Sequence, residues 1–234
     1  MKKNIISIAV IIFSIGLMIG TYFYLKANHE DIKDSVIFKQ TFEAYNTLVD
    51  ENKEDCLDLS ISEDNPFIIK SAKEIVEIMK NETALIFFGY PFQNATRSVV
   101  DTILELAKKY NVDKIYFLDI YNIKDVYQSN GTLDPKLIRS GSTSYHEITS
   151  MLKEHLNEYY VFTDNIGYDT GLKEVTVPAL LLIKKGEVLD IKIGDIRKSS
   201  AYSELQIADI AVRYEEIIKK YSEVGSVCTL DQNC

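Results

Sequence analysis

The chain has 234 residues, of which 46% are apolar, so it is long enough to bury one ordinary hydrophobic core. Acidic residues outnumber basic ones by 35 to 26, and the formal net charge is −9. A protein that binds nucleic acid needs a basic face, so this charge balance argues against such a partner. No repeat of about 20–50 residues is visible, which argues against solenoids and propellers.

The N-terminus has the pattern of a membrane anchor. Lys2 and Lys3 precede an uncharged run over residues 5–25. As a helix this run would span about 31 Å, which matches a hydrocarbon core of about 30 Å. The aromatic residues 22–24 at its end are typical of a membrane interface. Because the lysines favour the cytoplasmic side, we expect a single-pass protein of the cell membrane with residues from about 28 onward outside the cytoplasm.

A cleaved signal peptide is the competing interpretation of residues 1–27. The apolar region of a signal peptide usually runs only about 7–15 residues. A cut after Ala27 would also place Leu25 where a small residue is expected. No cysteine lies near the end of the segment, so it offers no site for a lipoprotein anchor. The retained anchor fits the sequence better.

A linker and a helical extension are predicted over residues 28–65. Ser35 is placed to cap a first helix, and the acidic stretch 50–64 is typical of a loop or a short strand. Ser71 opens a second helix. The apolar side of the first helix carries Val36, Ile37, Phe42, Tyr45 and Leu48, and that of the second carries Ile75, Val76 and Met79.

An α/β domain is predicted over residues 66–222. The apolar run Thr83–Gly89 predicts a buried strand, and a helix follows from about Arg97 to Tyr110. Two more buried strands are expected at 114–120 and 179–183, the second of which turns at Lys185 and Gly186 into an alternating strand. An inserted helix carries Ile148, Met151, Leu152 and Leu156, a final helix covers about 202–221, and a tail follows over 223–234. These elements predict a mixed central sheet flanked by helices.

The order of these motifs resembles that of the membrane-anchored thioredoxin-like proteins of Gram-positive bacteria. In that family a strand and a G-[FY]-x-x turn lead into C-P-W-C-R, a K-I-Y-[YF]-L-D-I strand follows, and a P-[AT] step later opens a strand hairpin that ends in glycine. The matching residues are Gly89, Tyr90, Arg97, the strand 114–120, Pro178 with Ala179, and the hairpin 185–194. The resemblance implies a thioredoxin-like fold over about residues 66–222, with Pro178 as the cis-proline beside the active site.

The redox motif of that family is missing at its expected place. Its four C-x-x-C positions are held by Gln93, Asn94, Ala95 and Thr96. Disulfide exchange needs a thiolate, which neither an amide nor a hydroxyl can replace. Phe87 stands where the best-known members place a buried acid. The family's redox activity therefore does not transfer to this turn, and the chain is expected not to act as an enzyme there.

Two roles for the altered turn stay open. Asn94 or Thr96 is placed to cap the following helix through its side-chain oxygen, which is worth about 1 kcal/mol. Alternatively, the resemblance implies a peptide-binding groove, because in this fold the backbone beside the cis-proline pairs with an extended segment without any thiol. The apolar lip of such a groove would consist of Tyr90, Phe92, Val177 and Pro178.

The three cysteines form a terminal pair and a single residue. Outside the cytoplasm, Cys228 and Cys234 would close a small disulfide loop at the end of the chain. Two interpretations stay open: a structural bond, or a redox-active tail through which the protein acts as a thiol–disulfide oxidoreductase. Cys56 lies among acidic residues that disfavour its thiolate, so a reactive thiol is not expected there.

No motif for a metal or a cofactor accompanies these residues. His29, His146 and His155 are scattered, and neither an H-E-x-x-H motif nor a paired C-x-x-C motif is present. The sequence predicts a redox-inactive binding, chaperone-like or accessory module outside the cytoplasm. Its expected partners are the membrane, through residues 5–25, and an extended peptide or an envelope or exported protein.

Overall fold

The computed structural model describes residues 33–49, 54–129, 134–163, 166–194 and 200–228. The predicted membrane anchor at 5–25 and Cys234 lie outside these residues, and so does the side chain of Cys228. None of the described helices is both long and apolar enough to span a bilayer.

The described residues form helices and strands in alternation along most of the chain. The helices are α1 (Asp34–Glu43), α2 (Ala72–Asn81), α3 (Asn94–Lys109), α4 (Thr143–Met151) and α5 (Glu204–Cys228), with a 3₁₀ turn at Lys153–His155. The strands are β1 (Phe67–Ile69), β2 (Thr83–Gly89), β3 (Ile115–Asp119), β4 (Val126–Gln128), β5 (Lys136–Arg139), β6 (Asn157–Thr163), β7 (Ile166–Glu174), β8 (Ala179–Lys184) and β9 (Glu187–Ile193).

Five strands form a mixed central sheet in the order β1-β3-β2-β8-β9. The strands β1 and β2 both run parallel to β3, whereas β8 is antiparallel to β2 and β9 is antiparallel to β8. Two parallel crossovers followed by an antiparallel hairpin, in this strand order, make the fold thioredoxin-like. The predicted mixed sheet flanked by helices is therefore confirmed.

Both faces of the sheet are buried, which explains why its strands are continuous apolar runs. Alternate residues of β2 point to opposite faces: Leu85 and Phe87 pack against α1, α3 and α5, whereas Ile86 and Phe88 pack against α2 and α4. All four side chains are fully buried, and each contributes about 1.5–3 kcal/mol through removal of apolar surface from water.

The two predicted helix starts have different outcomes. Ser71 caps α2 in a reciprocal capping box with Glu74, whose pKa is lowered to about 2 by hydrogen bonds from Ser71 and Lys70. The prediction that Ser35 caps the first helix is wrong, because α1 begins at Asp34 and Ser35 is buried in its first turn. The helix ends at Glu43, so Leu48, predicted on its apolar side, lies beyond it and is 49% exposed.

Two hairpins, β4–β5 and β6–β7, were not anticipated between the second and third core strands. Both form small two-stranded sheets of their own. Most side chains of β6 and β7 are exposed or half-buried, with Tyr159 and Glu174 as the buried exceptions. Because neither face covers a core, these strands lack the alternating apolar pattern that sequence analysis detects.

The segment before β1 packs into the core of the same unit. Phe38 and Phe42 of α1 are fully buried, and the ring of Phe38 stacks on Phe67 of β1 with centroids 4.0 Å apart. Leu59 and Ile61 join the same apolar cluster. This packing brings the chain from residue 54 to residue 61 over the first turn of α3, where a thioredoxin-like protein would carry its cysteines.

Candidate functional site

The four positions that replace the C-x-x-C motif form a closed turn. Gln93 is 6% exposed, Asn94 is 2% exposed, and Ala95 and Thr96 are fully buried. Gln93 is the N-cap of α3 and makes no side-chain capping hydrogen bond. The prediction that Asn94 or Thr96 caps this helix is therefore wrong, because α3 begins earlier than expected and both residues lie inside its first turn.

The two residues in the cysteine positions are hydrogen-bonded to each other. The Thr96 hydroxyl donates to Gln93 Oε1 over 2.9 Å, and the backbone N–H of Tyr90 donates to Thr96 Oγ1 over 3.3 Å. Thr96 also packs against Gly89, where a Cβ atom would lie 2.5 Å from Thr96 Cγ2. An amide oxygen and a hydroxyl held in this way can accept and donate hydrogen bonds, but they cannot exchange disulfides.

Residues 54–61, which we call the strap, cover this turn. The side chain of Asn94 binds the strap twice: its Oδ1 accepts from the N–H of Leu57 over 2.7 Å, and its Nδ2 donates to the carbonyl of Asp55 over 3.0 Å. Cys56 is 5% exposed and donates from Sγ to the carbonyl of Phe92 over 3.4 Å. Cys56 therefore lies against the turn at residues 93–96, a position that its sequence context did not reveal.

Arg97 is the charged centre of this arrangement, although it is only 1% exposed. Its Nε donates to the carbonyl of Leu57 over 2.6 Å, and its Nη1 donates to the carbonyls of Phe42 over 2.7 Å and Pro91 over 2.8 Å. Its Nη2 donates to Asn46 Oδ1. Burial lowers the pKa of Arg97, and nearby Cys56 and Asp58 partly oppose that shift.

The sequence indicated that Arg97 is buried, but the resemblance to the thioredoxin-like motif drew attention away from this indication. Arg97 precedes Val100 and Leu104 by three and seven positions, so helical spacing places a guanidinium on the apolar face of α3. A charge on a buried face requires partners. Three of those partners are main-chain carbonyls, which no sequence pattern identifies.

The predicted lip of the peptide groove is assembled but largely buried. Tyr90 and Val177 are 5% and 4% exposed and share one apolar cluster, against which the half-buried Phe92 packs. The Val177–Pro178 peptide bond is cis. The structure therefore brings the altered turn and the proline step together, while leaving little of their apolar surface open.

A buried ion pair lies behind this lip and was missed in the sequence. Lys124 Nζ lies 3.3 Å from Glu174 Oε2, and 5.6 Å and 5.4 Å from the ring centroids of Tyr90 and Tyr159. Burial by itself lowers the pKa of Lys124, but Tyr90, Glu174 and Tyr159 together raise it above its ordinary value. Lys124 is therefore a cation that holds the base of the β6–β7 hairpin against the end of the sheet.

An open cavity of about 450 Å³ lies beside Pro178, which is one of its lining residues. Its lining contains Pro178, Ile193, Gly194, Tyr202, Leu205, Gln206, Asp209, Ile210, Arg213 and Tyr214. A Cβ atom on Gly194 would lie 2.8 Å from the carbonyl oxygen of Val177, so only glycine fits beside the proline step. The described lining residues combine apolar side chains with polar groups on Tyr202, Gln206, Asp209, Arg213 and Tyr214, so the cavity offers apolar contact and hydrogen bonds.

The described histidines do not form a metal centre. His146 Nε2 lies 3.0 Å from Asp125 Oδ2, and His155 lies in the 3₁₀ turn; His29 lies outside the described residues. Within the described part of the chain, no group of three His, Cys, Asp or Glu side chains is placed to hold a metal ion.

Comparison with known proteins finds likeness to solved structures. No protein-family model matches the sequence, and no curated protein does. Thioredoxin O2 from Arabidopsis thaliana in its oxidized state is 15% identical, and the match covers 64% of this chain and 94% of that chain with a TM-score of 0.33. This likeness is too low to carry an argument about function, so the fold assignment depends on the strand order.

The contacts of Arg97 lead to a stability prediction. Arg97→Met would leave the buried carbonyls of Phe42, Leu57 and Pro91 without their donor, at about 1–3 kcal/mol for each unsatisfied group. We expect the free energy of unfolding, measured by urea denaturation, to fall by about 3–5 kcal/mol.

Lys108→Met is the matched control, because Lys108 lies on the exposed face of the same helix. For this variant we expect the free energy of unfolding to change by no more than about 0.5 kcal/mol. If both variants lost the same free energy of unfolding, the loss of one positive charge would explain both results. The hydrogen bonds of Arg97 to the buried carbonyls would then make no measurable contribution.

Proposed function

We propose that this chain is a membrane-anchored, extracytoplasmic binding protein of thioredoxin-like fold that has given up redox chemistry. In this proposal it serves as a chaperone-like or accessory module for an envelope or exported protein. The observation that carries the proposal is the closed turn at residues 93–96, where the two cysteine positions are buried and bonded to each other.

The cavity beside Pro178 is the binding site in this proposal. Its volume lies within the range of about 300–1,000 Å³ that is common for ligand pockets, and its lining is mainly apolar with a few polar groups. An extended segment that runs beside the proline step would place one large apolar side chain in it. Leu205, which is 84% exposed at the start of α5, supplies apolar surface at the rim.

The membrane anchor and the external location are supported by the sequence of residues 1–27 alone. An exported or envelope protein is the fitting partner class because a domain held at the outer side of a membrane meets its partners there. The tether also raises the local concentration of the domain near any segment that leaves the membrane.

The redox-inactive turn has a direct test. Purified protein is expected to show no dithiol-driven reduction of insulin above background, measured as free thiols. Activity that persists when Cys228 and Cys234 are both changed to serine would refute the closed turn. Activity that disappears in that double variant would support the alternative, a thiol–disulfide oxidoreductase that acts through the terminal pair.

The cavity can be tested with two substitutions on one helix. Leu205→Asp places a charge at the cavity rim, whereas Val212→Asp makes the same change at a residue that is 60% exposed on α5 and does not line the cavity. In the complex, the bound segment would bury Leu205, and loss of one such apolar contact weakens affinity about tenfold. Binding of reduced, carboxymethylated α-lactalbumin, followed by fluorescence anisotropy, should weaken in the first variant alone. Equal binding by both would exclude the cavity.

The topology has its own measurement. Protease added to intact, wall-stripped cells is expected to digest the domain, because an uncleaved anchor with Lys2 and Lys3 inside leaves it outside. A protected domain, or a mature N-terminus near Asn28, would contradict this proposal.

A further inference from the structure

The main chain of the strap is bound by side chains. On its first half, Asn94 binds the carbonyl of Asp55 and the N–H of Leu57, and Arg97 Nε donates to the carbonyl of Leu57 over 2.6 Å. All of these main-chain groups belong to residues 55 and 57, which lie on one edge of the extended segment.

The second half continues the same pattern on α1 and the turn that follows it. Asn46 accepts from the N–H of Leu59 over 3.0 Å and donates to its carbonyl over 2.8 Å. Glu43 Oε1 accepts from the N–H of Ile61, and Lys39 Nζ donates to the Ile61 carbonyl, both over 2.7 Å. Alternate residues from 55 to 61 thus present seven main-chain groups to five side chains.

This arrangement is how a groove binds an extended polypeptide. The contacts satisfy the N–H and C=O groups that a β-strand partner would otherwise satisfy, and they do not depend on side-chain identity. Among the three described sheets, none includes the strap. The buried side chains Cys56, Leu59 and Ile61 add specificity to an otherwise general mode of recognition.

Contacts that do not involve the strap hold four of the binding side chains in place, those of Lys39, Glu43, Asn46 and Arg97. Arg97 keeps its bonds to the carbonyls of Phe42 and Pro91, and Asn46 is bound by Arg97 Nη2. Lys39 and Glu43 form an ion pair over 2.7 Å. A groove that is organised without its occupant loses little entropy when an occupant binds.

Charge indicates which occupant fits. The groove contributes the cations of Lys39 and Arg97 and the carboxylate of Glu43. The strap carries Glu54, Asp55 and Asp58, and the charge of Asp58 favours the cation of Arg97. We propose that Lys39, Glu43, Asn46, Asn94 and Arg97 form a peptide groove whose tethered occupant is the strap. The occupant that replaces it is an extended acidic segment of another protein. This site is separate from the cavity beside Pro178 and does not depend on it.

A labelled peptide tests the groove in the full-length protein in detergent micelles. The probe has the sequence of residues 54–63, with serine in place of Cys56 and a fluorophore at its N-terminus. Leu59→Asp, which charges a buried anchor of the strap, should increase peptide affinity by about tenfold over the unaltered protein. Adding Asn94→Ala to that variant should remove the gain.

Leu57→Asp is the matched control, because Leu57 lies on the strap but its side chain is 37% exposed. This variant should bind the peptide no better than the unaltered protein. Two results would overturn the proposed groove. One is a folded Leu59→Asp variant that does not bind the peptide. The other is equal peptide affinity of Leu59→Asp with and without the added Asn94→Ala substitution.

A second measurement applies if Leu59→Asp does not fold. Labelling of Cys56 by a thiol reagent, read by peptide mass spectrometry in increasing urea, reports how the strap opens in the unaltered sequence. We expect opening without global unfolding, and labelling about tenfold faster in Asn94→Ala. Labelling that follows only global unfolding would show that the strap is a fixed part of the core and overturn the proposal.

Discussion

The buried guanidinium of Arg97 joins three parts of the chain that are distant in sequence. It lies in the first turn of α3 and donates to the end of α1, to the turn that leaves β2, and to the strap. Removing a charge from water is costly, and four hydrogen bonds to oxygen atoms offset that cost. Lysine has only three donors and no planar fork, so it could not donate to the same four oxygen atoms.

Residues 93–96 contain no cysteine, and the turn that they form is closed. A catalytic thiol at a helix N-terminus must be open to its substrate, because exchange proceeds through a mixed disulfide. Here the strap covers that helix end, and the side chain of Asn94 forms two hydrogen bonds with the strap. Disulfide exchange at this turn would therefore need an uncovered helix end as well as two cysteines.

Sequence analysis succeeded where a local pattern reports burial. The bounds of β2 and the helix start at Ser71 follow from a continuous apolar run and from a residue type that favours the first position of a helix. The contacts of the candidate site have no such pattern. Arg97 binds carbonyls 40 and 55 positions away, and every residue carries a carbonyl. The exposed β6–β7 hairpin escaped detection for a related reason, since it buries no face.

The shared core of the N-terminal segment has a consequence for biosynthesis. Phe38 and Phe42 leave the ribosome long before Ile217 and Ile218, yet all four pack in one cluster. Because synthesis proceeds from the N-terminus, the cluster that these residues share is complete only when the last helix has been made. β2 likewise waits for β8, its antiparallel neighbour, across the α3–β7 region. A chain whose core closes through such long-range contacts folds slowly, because each contact must first close a long loop.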